Sequence, residues 1–351
     1  MKPNIVVLDD WTNFWASQPA VERLRGRGEV TIHTAPAATD DETIARLRDA
    51  TVAIANRERT QLTAHVLQSV EHLELIAQTG RLSPNVDAEA ATERGIALIA
   101  APGQPGSHAA VAELGLALML ALARQIPRND RRVRQGDWVA PPTRMLSGLT
   151  LGILGLGNIG RHMARLGQAL EMNVIAWGPT LTPDRARASD VEHVTYEDLF
   201  RRADVLFISV RLSDMTRGLV GAAQLAAMKP SSYLVNIARG PVVDEAALVA
   251  ALERRQIAGA GLDVYDVEPL PVDHPLVQLD NVVLTPHIGW GVETNFALMV
   301  ENLVEAVMRY LDGDTSGVLN PAALQRRAHR SAQEHRPSRA RAGDSAASSR
   351  E

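Results

Sequence analysis

Residues 149–160 read LTLGILGLGNIG, and this stretch decides the fold of the 351-residue chain. Its first six residues are a short apolar run that predicts a β-strand. Its second six contain Gly155, Gly157 and Gly160 in the spacing Gly-x-Gly-x-x-Gly, and residues 161–170 continue with the periodicity of an amphipathic helix. A strand, a glycine turn and a helix in this order are typical of a dinucleotide-binding unit.

Each glycine of this turn has a separate physical reason. Gly155 allows the tight turn, Gly157 lets the backbone approach a pyrophosphate, and Gly160 lets the helix pack closely on the strand. The amino end of the helix would face the anion, because its unpaired N–H groups favour negative charge. An ordinary strand-to-helix turn can show the same spacing, so the prediction depends on the flanking strand and helix.

Composition indicates a globular protein large enough for two domains. Apolar residues make up 46% of the chain, charged residues 22%, and the net charge is −5, so the chain as a whole is not suited to nucleic acid or anionic lipid. The absence of cysteine excludes disulfides, thiolate metal sites and a cysteine nucleophile, and we expect no metal. The apolar stretch 114–123 is too short to cross a bilayer. We expect a cytoplasmic protein that binds neither nucleic acid nor membrane.

Short apolar runs alternate with helical segments both before and after the glycine turn. This alternation predicts an α/β fold with two doubly wound parallel sheets. Residues 107–126 predict one long helix that is apolar around most of its circumference, and such a helix is buried between domains or subunits. Residues 293–311 predict a second long helix. The segment 325–351 lacks apolar periodicity, so we expect it to be a disordered tail.

Three segments of the second half each end a predicted strand and place polar side chains at one edge of the sheet. They carry Arg239, then Asp263 and Glu268, then His287. An arginine can hold a carboxylate through two hydrogen bonds, and a histidine can give a proton to a carbonyl oxygen near neutral pH. A glutamate bonded to the imidazole would fix its orientation. The set suits reversible reduction of a 2-keto acid, although a loop-capping arginine, a solvated glutamate and a core histidine are the ordinary alternatives.

Four motifs make the chain resemble the D-specific 2-hydroxyacid dehydrogenase family, which includes phosphoglycerate dehydrogenases and glyoxylate/hydroxypyruvate reductases. They are residues 155–160, 228–230 with 236–241, 261–270, and 284–289. The resemblance implies a flavodoxin-like substrate domain (1–107 with 292–324) and a Rossmann NAD-binding domain (108–291). It also implies a homodimer built through the long helix around Glu113.

The resemblance further implies a role for each matching residue. Arg239 would hold the carboxylate and carbonyl of the substrate, His287 would be the acid–base, and Glu268 would pair with His287. Asp263 would hydrogen-bond the nicotinamide carboxamide. The other residues expected at the cofactor, with Asn158 and Ile159 offering backbone N–H groups to the pyrophosphate, are Gly155, Gly157, Asn158, Ile159, Gly160, Gly178, Arg211, Ile237 and Ala238.

Several positions depart from the pattern of the family. Gly178 stands where NAD-dependent members have an acid for the ribose 2′-hydroxyl, and no arginine immediately beside it could bind a 2′-phosphate. We therefore expect NAD with weak discrimination, and NADP stays open. In the first domain Leu82 replaces a glycine of the substrate-binding loop, and Arg81 beside it could add a cation. Arg57 matches a position that reaches the substrate in some relatives.

These expectations lead to one leading hypothesis and one alternative. The leading hypothesis is an oxidoreductase that moves a hydride between a nicotinamide cofactor and a D-2-hydroxy acid or 2-keto acid. The alternative is a dinucleotide-sensing scaffold or co-repressor on the same fold, to which the basic tail gives slight support. Glu268 argues against formate, because formate dehydrogenases of this superfamily carry glutamine there. Glyoxylate, hydroxypyruvate, phosphohydroxypyruvate and bulkier 2-keto acids all remain candidates.

Overall fold

The computed structural model describes residues 2–11, 13–101 and 107–334. Its strands are β1 (Asn4–Leu8), β2 (Glu29–Ile32), β3 (Val52–Ala55), β4 (Leu75–Thr79), β5 (Ala97–Ala101), β6 (Thr150–Leu154), β7 (Asn173–Trp177), β8 (Glu192–His193), β9 (Val205–Ile208), β10 (Tyr233–Asn236), β11 (Gly259–Leu262) and β12 (Val282–Leu284). Its α-helices are α1 (Pro19–Arg27), α2 (Asp40–Leu47), α3 (Ala64–Ser69), α4 (Ala88–Arg94), α5 (Ser107–Ala123), α6 (Ile126–Arg134), α7 (Asn158–Ala169), α8 (Pro183–Arg187), α9 (Tyr196–Arg202), α10 (Ala222–Ala227), α11 (Glu245–Glu253), α12 (Pro275–Gln278), α13 (Glu293–Leu311) and α14 (Ala322–Glu334). Short 3-10 helices span Trp15–Ser17 and Gly240–Val242.

The chain divides into two compact units, Met1–Gln104 with Phe296–Glu351 and Pro105–Asn295. The first unit has a five-stranded parallel sheet in the order β2-β1-β3-β4-β5, which is the flavodoxin order. The second has a seven-stranded parallel sheet in the order β12-β11-β10-β9-β6-β7-β8. This is the Rossmann order with one added strand. The prediction of two doubly wound parallel sheets is confirmed.

The first unit is a sheet with apolar layers on both faces. Every residue of β3 and β4 is buried, as expected for central parallel strands covered by helices. On one face α13 contributes Val300, Leu303, Val304 and Val307, which are fully buried. Their spacing places them on one side of the helix, so α13, which lies late in the chain, completes the core that begins with the N-terminal strands.

In the second unit α5 is a core helix that packs against β10, β11 and α7. It ends at Ala123 rather than at the predicted Ile126, because Gln125 adopts a left-handed φ of 51° and Pro127 lies in the first turn of α6. No single helix in the described ranges is long and apolar enough to cross a membrane. Only when two consecutive helices are taken together, His108–Ala123 and Ile126–Arg134, do length and composition reach that threshold. These two helices meet at a bend of 60°.

The predicted start of the tail is wrong, because helix α14 continues to Glu334. Arg327 fixes this helix: its Nη2 donates to the carbonyl oxygen of Gly95 at 2.8 Å and its Nη1 to a carboxylate oxygen of Glu74 at 2.9 Å. Gly95 is the left-handed C-cap of α4, so the guanidinium pairs with a carbonyl at the end of that helix. Hydrogen bonds from one arginine thus order a segment with little apolar periodicity. Residues 335–351 of the predicted tail lie outside the described residues.

Candidate active site

The glycine turn has the geometry that its sequence predicts. Gly155 has a φ of 99°, and a Cβ atom there would lie 2.7 Å from the backbone nitrogen of Val210. A Cβ atom on Gly160 would lie 2.2 Å from the carbonyl oxygen of Gly155, so the helix must approach the strand through a glycine. Around Gly157 no heavy atom lies within 4 Å of the corresponding position. The turn is therefore closed at its two outer glycines and open at the middle one.

Helix α7 begins at Asn158, earlier than the predicted Arg161, and this start brings three backbone N–H groups into its first turn. Those of Asn158, Ile159 and Gly160 precede the first intrahelical hydrogen bond, which Arg161 donates to Gly157. The N-cap Gly157 provides no side-chain cap. An open backbone with unpaired N–H groups fits the pyrophosphate of a dinucleotide.

Asn236, which sequence reasoning did not single out, shapes the loop that carries Arg239. At the end of β10 its Oδ1 accepts from the backbone N–H of Ala238 at 3.0 Å, and its Nδ2 donates to the carbonyl oxygen of Arg239 at 3.1 Å. Both bonds fold the chain back onto the strand end, a local pairing for which asparagine is well suited. Ile237 is buried, while Ala238 and Arg239 are partly exposed at the edge of the sheet.

The carboxylate of Asp263 follows β11 and is almost fully buried, with 1% of the residue exposed. Its Oδ1 accepts from the hydroxyl of Thr285 at 2.6 Å and from the backbone N–H of Ile288 at 2.9 Å, and its Oδ2 accepts from the N–H of Gly289 at 2.9 Å. Burial raises the pKa of Asp263, and these hydrogen bonds offset part of that rise. The carboxylate thus holds the two residues that follow His287, and its contact with a nicotinamide carboxamide stays a prediction.

His287 and Glu268 meet at the same edge of the sheet. The Nδ1 atom of His287 lies 2.6 Å from Oε2 of Glu268, and both side chains are partly buried. Oε1 of Glu268 accepts from the backbone N–H of Tyr265 at 3.0 Å. Burial alone would raise the pKa of Glu268, but the hydrogen bond and charge of His287, with a smaller contribution from Arg239, hold it below its ordinary value. The structure therefore brings together the pair that the family resemblance implied.

His287 itself has a left-handed φ of 53°, which few residues other than glycine adopt without cost. The Asp263 carboxylate accepts the N–H groups of Ile288 and Gly289, directly after it. A Cβ atom on Gly289 would lie 3.1 Å from Oδ2 of Asp263, which is a tight contact, so a glycine favours this approach. A strained backbone that buried bonds enforce is a common feature of functional sites.

The loops that carry Arg239 and Glu268 touch through their backbones. A Cβ atom on Gly240 would lie 2.0 Å from the carbonyl carbon of Tyr265 and 2.5 Å from the nitrogen of Asp266. The Tyr265 hydroxyl in turn donates to the carbonyl oxygens of Leu262 and Thr285, at 3.1 and 2.9 Å. Gly240 and Tyr265 were not predicted, because neither residue type signals a contact between distant segments.

The other predicted cofactor residues lie around the glycine turn. Gly178 follows β7 and is buried, and a Cβ atom there would lie 3.5 Å from Cα of Gly155. Arg211 is exposed, and its carbonyl oxygen accepts from the hydroxyl of Thr216. Among the residues that the structure describes, no group of three or more histidine, aspartate and glutamate side chains could hold a metal.

The three predicted substrate residues belong to the first unit and lie after its strands β3 and β4. Arg57 has a left-handed φ of 55°, and its backbone is held by Thr79 and by the Nε2 atom of Gln78, at 2.9 and 2.6 Å. Arg81 is exposed. Leu82 packs against the core of its unit, and the left-handed position of the loop is Gly80, with a φ of 87°. Their contacts with a substrate stay predictions.

Comparisons with known proteins agree with this arrangement. Residues 116–289 match the family model described as D-isomer specific 2-hydroxyacid dehydrogenase, NAD binding domain, which confirms the prediction of a nicotinamide cofactor. The chain is 40% identical over 276 residues to a D-3-phosphoglycerate dehydrogenase of Archaeoglobus fulgidus (78% of this chain, 51% of the relative). It is 36% identical over 259 residues to a glyoxylate reductase of Korarchaeum cryptofilum (72% of this chain, 77% of the relative).

Solved structures show the same likeness. The phosphoglycerate oxidoreductase from Vibrio cholerae O395 superimposes with a TM-score of 0.84 at 32% identity, over 89% of this chain and 99% of that one. The chain spans about half the length of the D-3-phosphoglycerate dehydrogenases that it matches. The relatives are named as dehydrogenases and reductases, which does not favour the scaffold hypothesis.

Proposed function

Because the chain belongs to the D-isomer-specific 2-hydroxyacid dehydrogenase family, we propose that it is a nicotinamide-dependent oxidoreductase of D-2-hydroxy acids and 2-keto acids. The observation that carries the proposal is the 2.6 Å contact between Nδ1 of His287 and Oε2 of Glu268. The pair lies beyond the carboxyl ends of strands β11 and β12, where ligands of open parallel sheets bind.

The proton chemistry follows from this contact. When bound, the dinucleotide supplies a hydride for reduction of the keto acid and accepts one for oxidation of the hydroxy acid. Since Nδ1 of His287 is bonded to Glu268, its Nε2 is the nitrogen left to face a substrate. The protonated imidazole gives its Nε2 proton to the carbonyl oxygen during reduction, and the neutral imidazole takes a proton at Nε2 from the hydroxyl during oxidation. Arg239 holds the carboxylate of the substrate through its guanidinium.

The residues around the glycine turn favour NAD with weak discrimination against NADP. Gly178 has no side chain, so no carboxylate at this position accepts a hydrogen bond from the ribose 2′-hydroxyl of NAD or repels the 2′-phosphate of NADP. Arg185, the next arginine along the chain, donates from Nη1 to the carbonyl oxygen of Thr180 at 2.7 Å. Use of both dinucleotides, with NADH preferred, is therefore part of the proposal.

The same proposal assigns the first unit to the substrate and the second to the cofactor, and it includes a homodimer. The segment from α6 to residue 145 supports self-association, because none of the residues of α6 is buried and Trp138 and Met145 are 87% and 72% exposed. Apolar side chains this exposed favour a partner surface. We place the protein in the cytoplasm, since the reaction draws on the dinucleotide pool of the cell.

Transfer of an isotopic label tests the reaction directly. The purified protein is incubated with NADH that carries deuterium at both C4 positions and, in turn, glyoxylate, hydroxypyruvate, phosphohydroxypyruvate and a bulkier 2-keto acid. We expect deuterium at C2 of a 2-hydroxy acid product and, where C2 is a stereocentre, the D configuration by chiral chromatography. An L product, or a product without the label, would contradict the proposal.

A further inference from the structure

Glu245 is a carboxylate outside the predicted site that contacts both ends of the segment carrying Glu268. Its Oε2 accepts from the backbone N–H of Asp266 at 3.2 Å, and its Oε1 lies 3.1 Å from Nε2 of His274. The side chains of Glu245 and His274 are each 19% exposed. One carboxylate thus joins residues 266 and 274, between which Glu268 lies.

The hydrogen bonds of His274 define its tautomer. Its Nδ1 accepts from the backbone N–H of Leu276 at 3.3 Å, which makes His274 the N-cap of α12. A nitrogen that accepts carries no proton, so the neutral imidazole has its proton on Nε2 and donates it to Glu245. The same ring therefore caps a helix through one nitrogen and closes the segment through the other.

Glu245 belongs to a helix that is anchored in the core of the second unit. It is the first residue of α11, where Asp244 is the N-cap and accepts from the N–H of Ala247 at 3.0 Å. Leu248 and Leu252 of this helix are buried in the core of the second unit. Burial of the helix limits the movement of its first turn, so the carboxylate of Glu245 is a fixed point for a loop.

The segment that Glu245 closes has few other attachments. Among the described residues, no hydrogen bond joins residues 269–273 to any part of the chain outside 265–274. Leu270 packs on the core, while Val267 and Val272 are 63% and 89% exposed. The position of Glu268 therefore depends on the bonds at the two ends of its segment.

We propose that Glu245 is a positioning residue for the acid–base pair, and that it acts through Asp266 and His274 by holding the segment that presents Glu268 to His287. This inference rests on the proposed function. It predicts that loss of the Glu245 contacts lowers turnover without weakening cofactor binding, because the glycine turn makes none of these contacts.

The test is a double-mutant cycle with a control on the same helix. Glu245→Ala removes both contacts, and Glu253→Ala truncates an exposed glutamate at the other end of α11. We expect Glu245→Ala to lower kcat about tenfold with an unchanged Kd for NADH, and Glu253→Ala to leave both values at those of the wild type. Glu268→Gln alone should lower kcat about a hundredfold. If Glu245 acts through Glu268, the double variant Glu245→Ala/Glu268→Gln turns over as fast as Glu268→Gln alone.

Two further variants keep the inference testable if Glu245→Ala does not fold. Glu245→Gln retains one acceptor, so its kcat should lie between those of Glu245→Ala and the wild type. His274→Asn preserves the cap of α12, because asparagine is a strong N-cap, but it is too short to reach Glu245. We expect it to lower kcat severalfold, with the Kd for NADH again unchanged.

The outcomes separate this inference from the function on which it rests. A wild-type protein that reduces none of the 2-keto acids would contradict the proposed function, and this inference with it. If the wild type is active, two results would contradict this inference and leave the proposed function intact. One is a Glu245→Ala variant that keeps the full kcat. The other is a double variant whose loss of kcat equals the product of the losses in Glu245→Ala and Glu268→Gln. An active wild type with a non-additive cycle would support both.

Discussion

Substitution of Asp263 should lower the free energy of unfolding by an amount that depends on how many of its hydrogen bonds to the His287 loop are lost. The carboxylate accepts three bonds, two at Oδ1 and one at Oδ2, and two of the three donors are backbone N–H groups. In Asp263→Asn the amide oxygen can keep the two bonds at Oδ1, but its NH2 group then faces the N–H of Gly289. A buried donor left without an acceptor costs about 1–3 kcal/mol, so we expect a loss of about 2 kcal/mol in the free energy of unfolding.

Two companion substitutions extend this series. Asp263→Ala removes all three bonds and leaves both backbone donors unpaired, so we expect a loss of about 4–5 kcal/mol. Thr285→Val removes the hydroxyl bond to Asp263 and a long contact with the carbonyl oxygen of Leu262. It leaves no backbone donor unpaired, so its expected loss is about 1 kcal/mol. Because the carboxylate also holds the strained backbone at His287, kcat should fall most in Asp263→Ala. The contacts that the glycine turn is expected to make with the dinucleotide do not involve Asp263 and should be retained.

The assay is urea unfolding followed by circular dichroism, with free energies from linear extrapolation, combined with steady-state kinetics on the same preparations. The expected order of destabilisation is Thr285→Val, then Asp263→Asn, then Asp263→Ala. If Asp263→Ala were no less stable than Thr285→Val, or if it kept the kcat of the wild type, the assignment of Asp263 as the support of the His287 loop would be refuted.

Three other predictions follow from single contacts. Gly178→Asp should raise the preference for NADH over NADPH at least about tenfold. Its Cβ atom has space beside the glycine turn, and its carboxylate can accept a hydrogen bond from the ribose 2′-hydroxyl. If the ratio of kcat/KM with NADH to kcat/KM with NADPH were the same in the variant and the wild type, this prediction would be contradicted. Gly240→Ala should cost about 3 kcal/mol of unfolding free energy and lower kcat, because its methyl group would overlap the backbone of Tyr265; wild-type values of both would exclude the backbone contact. The pKa of Glu268 is lowered, so its ionised carboxylate stabilises the fold above the ordinary glutamate pKa of about 4.3. This contribution is lost as the pH falls through the lowered pKa. Between pH 7 and acidic pH, Glu268→Gln should therefore lose less unfolding free energy than the wild type in urea titrations.

The fold could be predicted because its signals are local and periodic. The apolar runs before and after the glycine turn predicted the strands of both sheets except the two-residue β8, and α13 has the predicted bounds. The errors are the start of α7, the end of α5 and the helix α14, which extends into the segment predicted to be a tail. The break after α5 depends on the left-handed backbone of Gln125, a conformation that glutamine rarely signals. Helix α14 depends on the contact of Arg327 with Gly95, which lies far away in the sequence.

The position of the polar side chains at one edge of the sheet was predictable, and the contacts that support them were not. Arg239, Glu268 and His287 each follow a strand of one parallel sheet, and the carboxyl ends of such strands share an edge. The contacts that hold them come from residues with an ordinary appearance in the sequence. Asn236 resembles any asparagine after a strand, and Gly240 resembles any glycine before a proline. Their importance depends on contacts across the fold, which residue spacing does not encode.

The most direct test of the central claim compares the wild type with His287→Ala in a panel of 2-keto acids, with oxidation of NADH followed by absorbance and its Kd by fluorescence. We expect the wild type to reduce at least one acid, and His287→Ala to lose about a thousandfold in kcat with an unchanged Kd for NADH. Full turnover by His287→Ala, or tight binding of NADH by a wild type that reduces no acid, would contradict the assignment of this site.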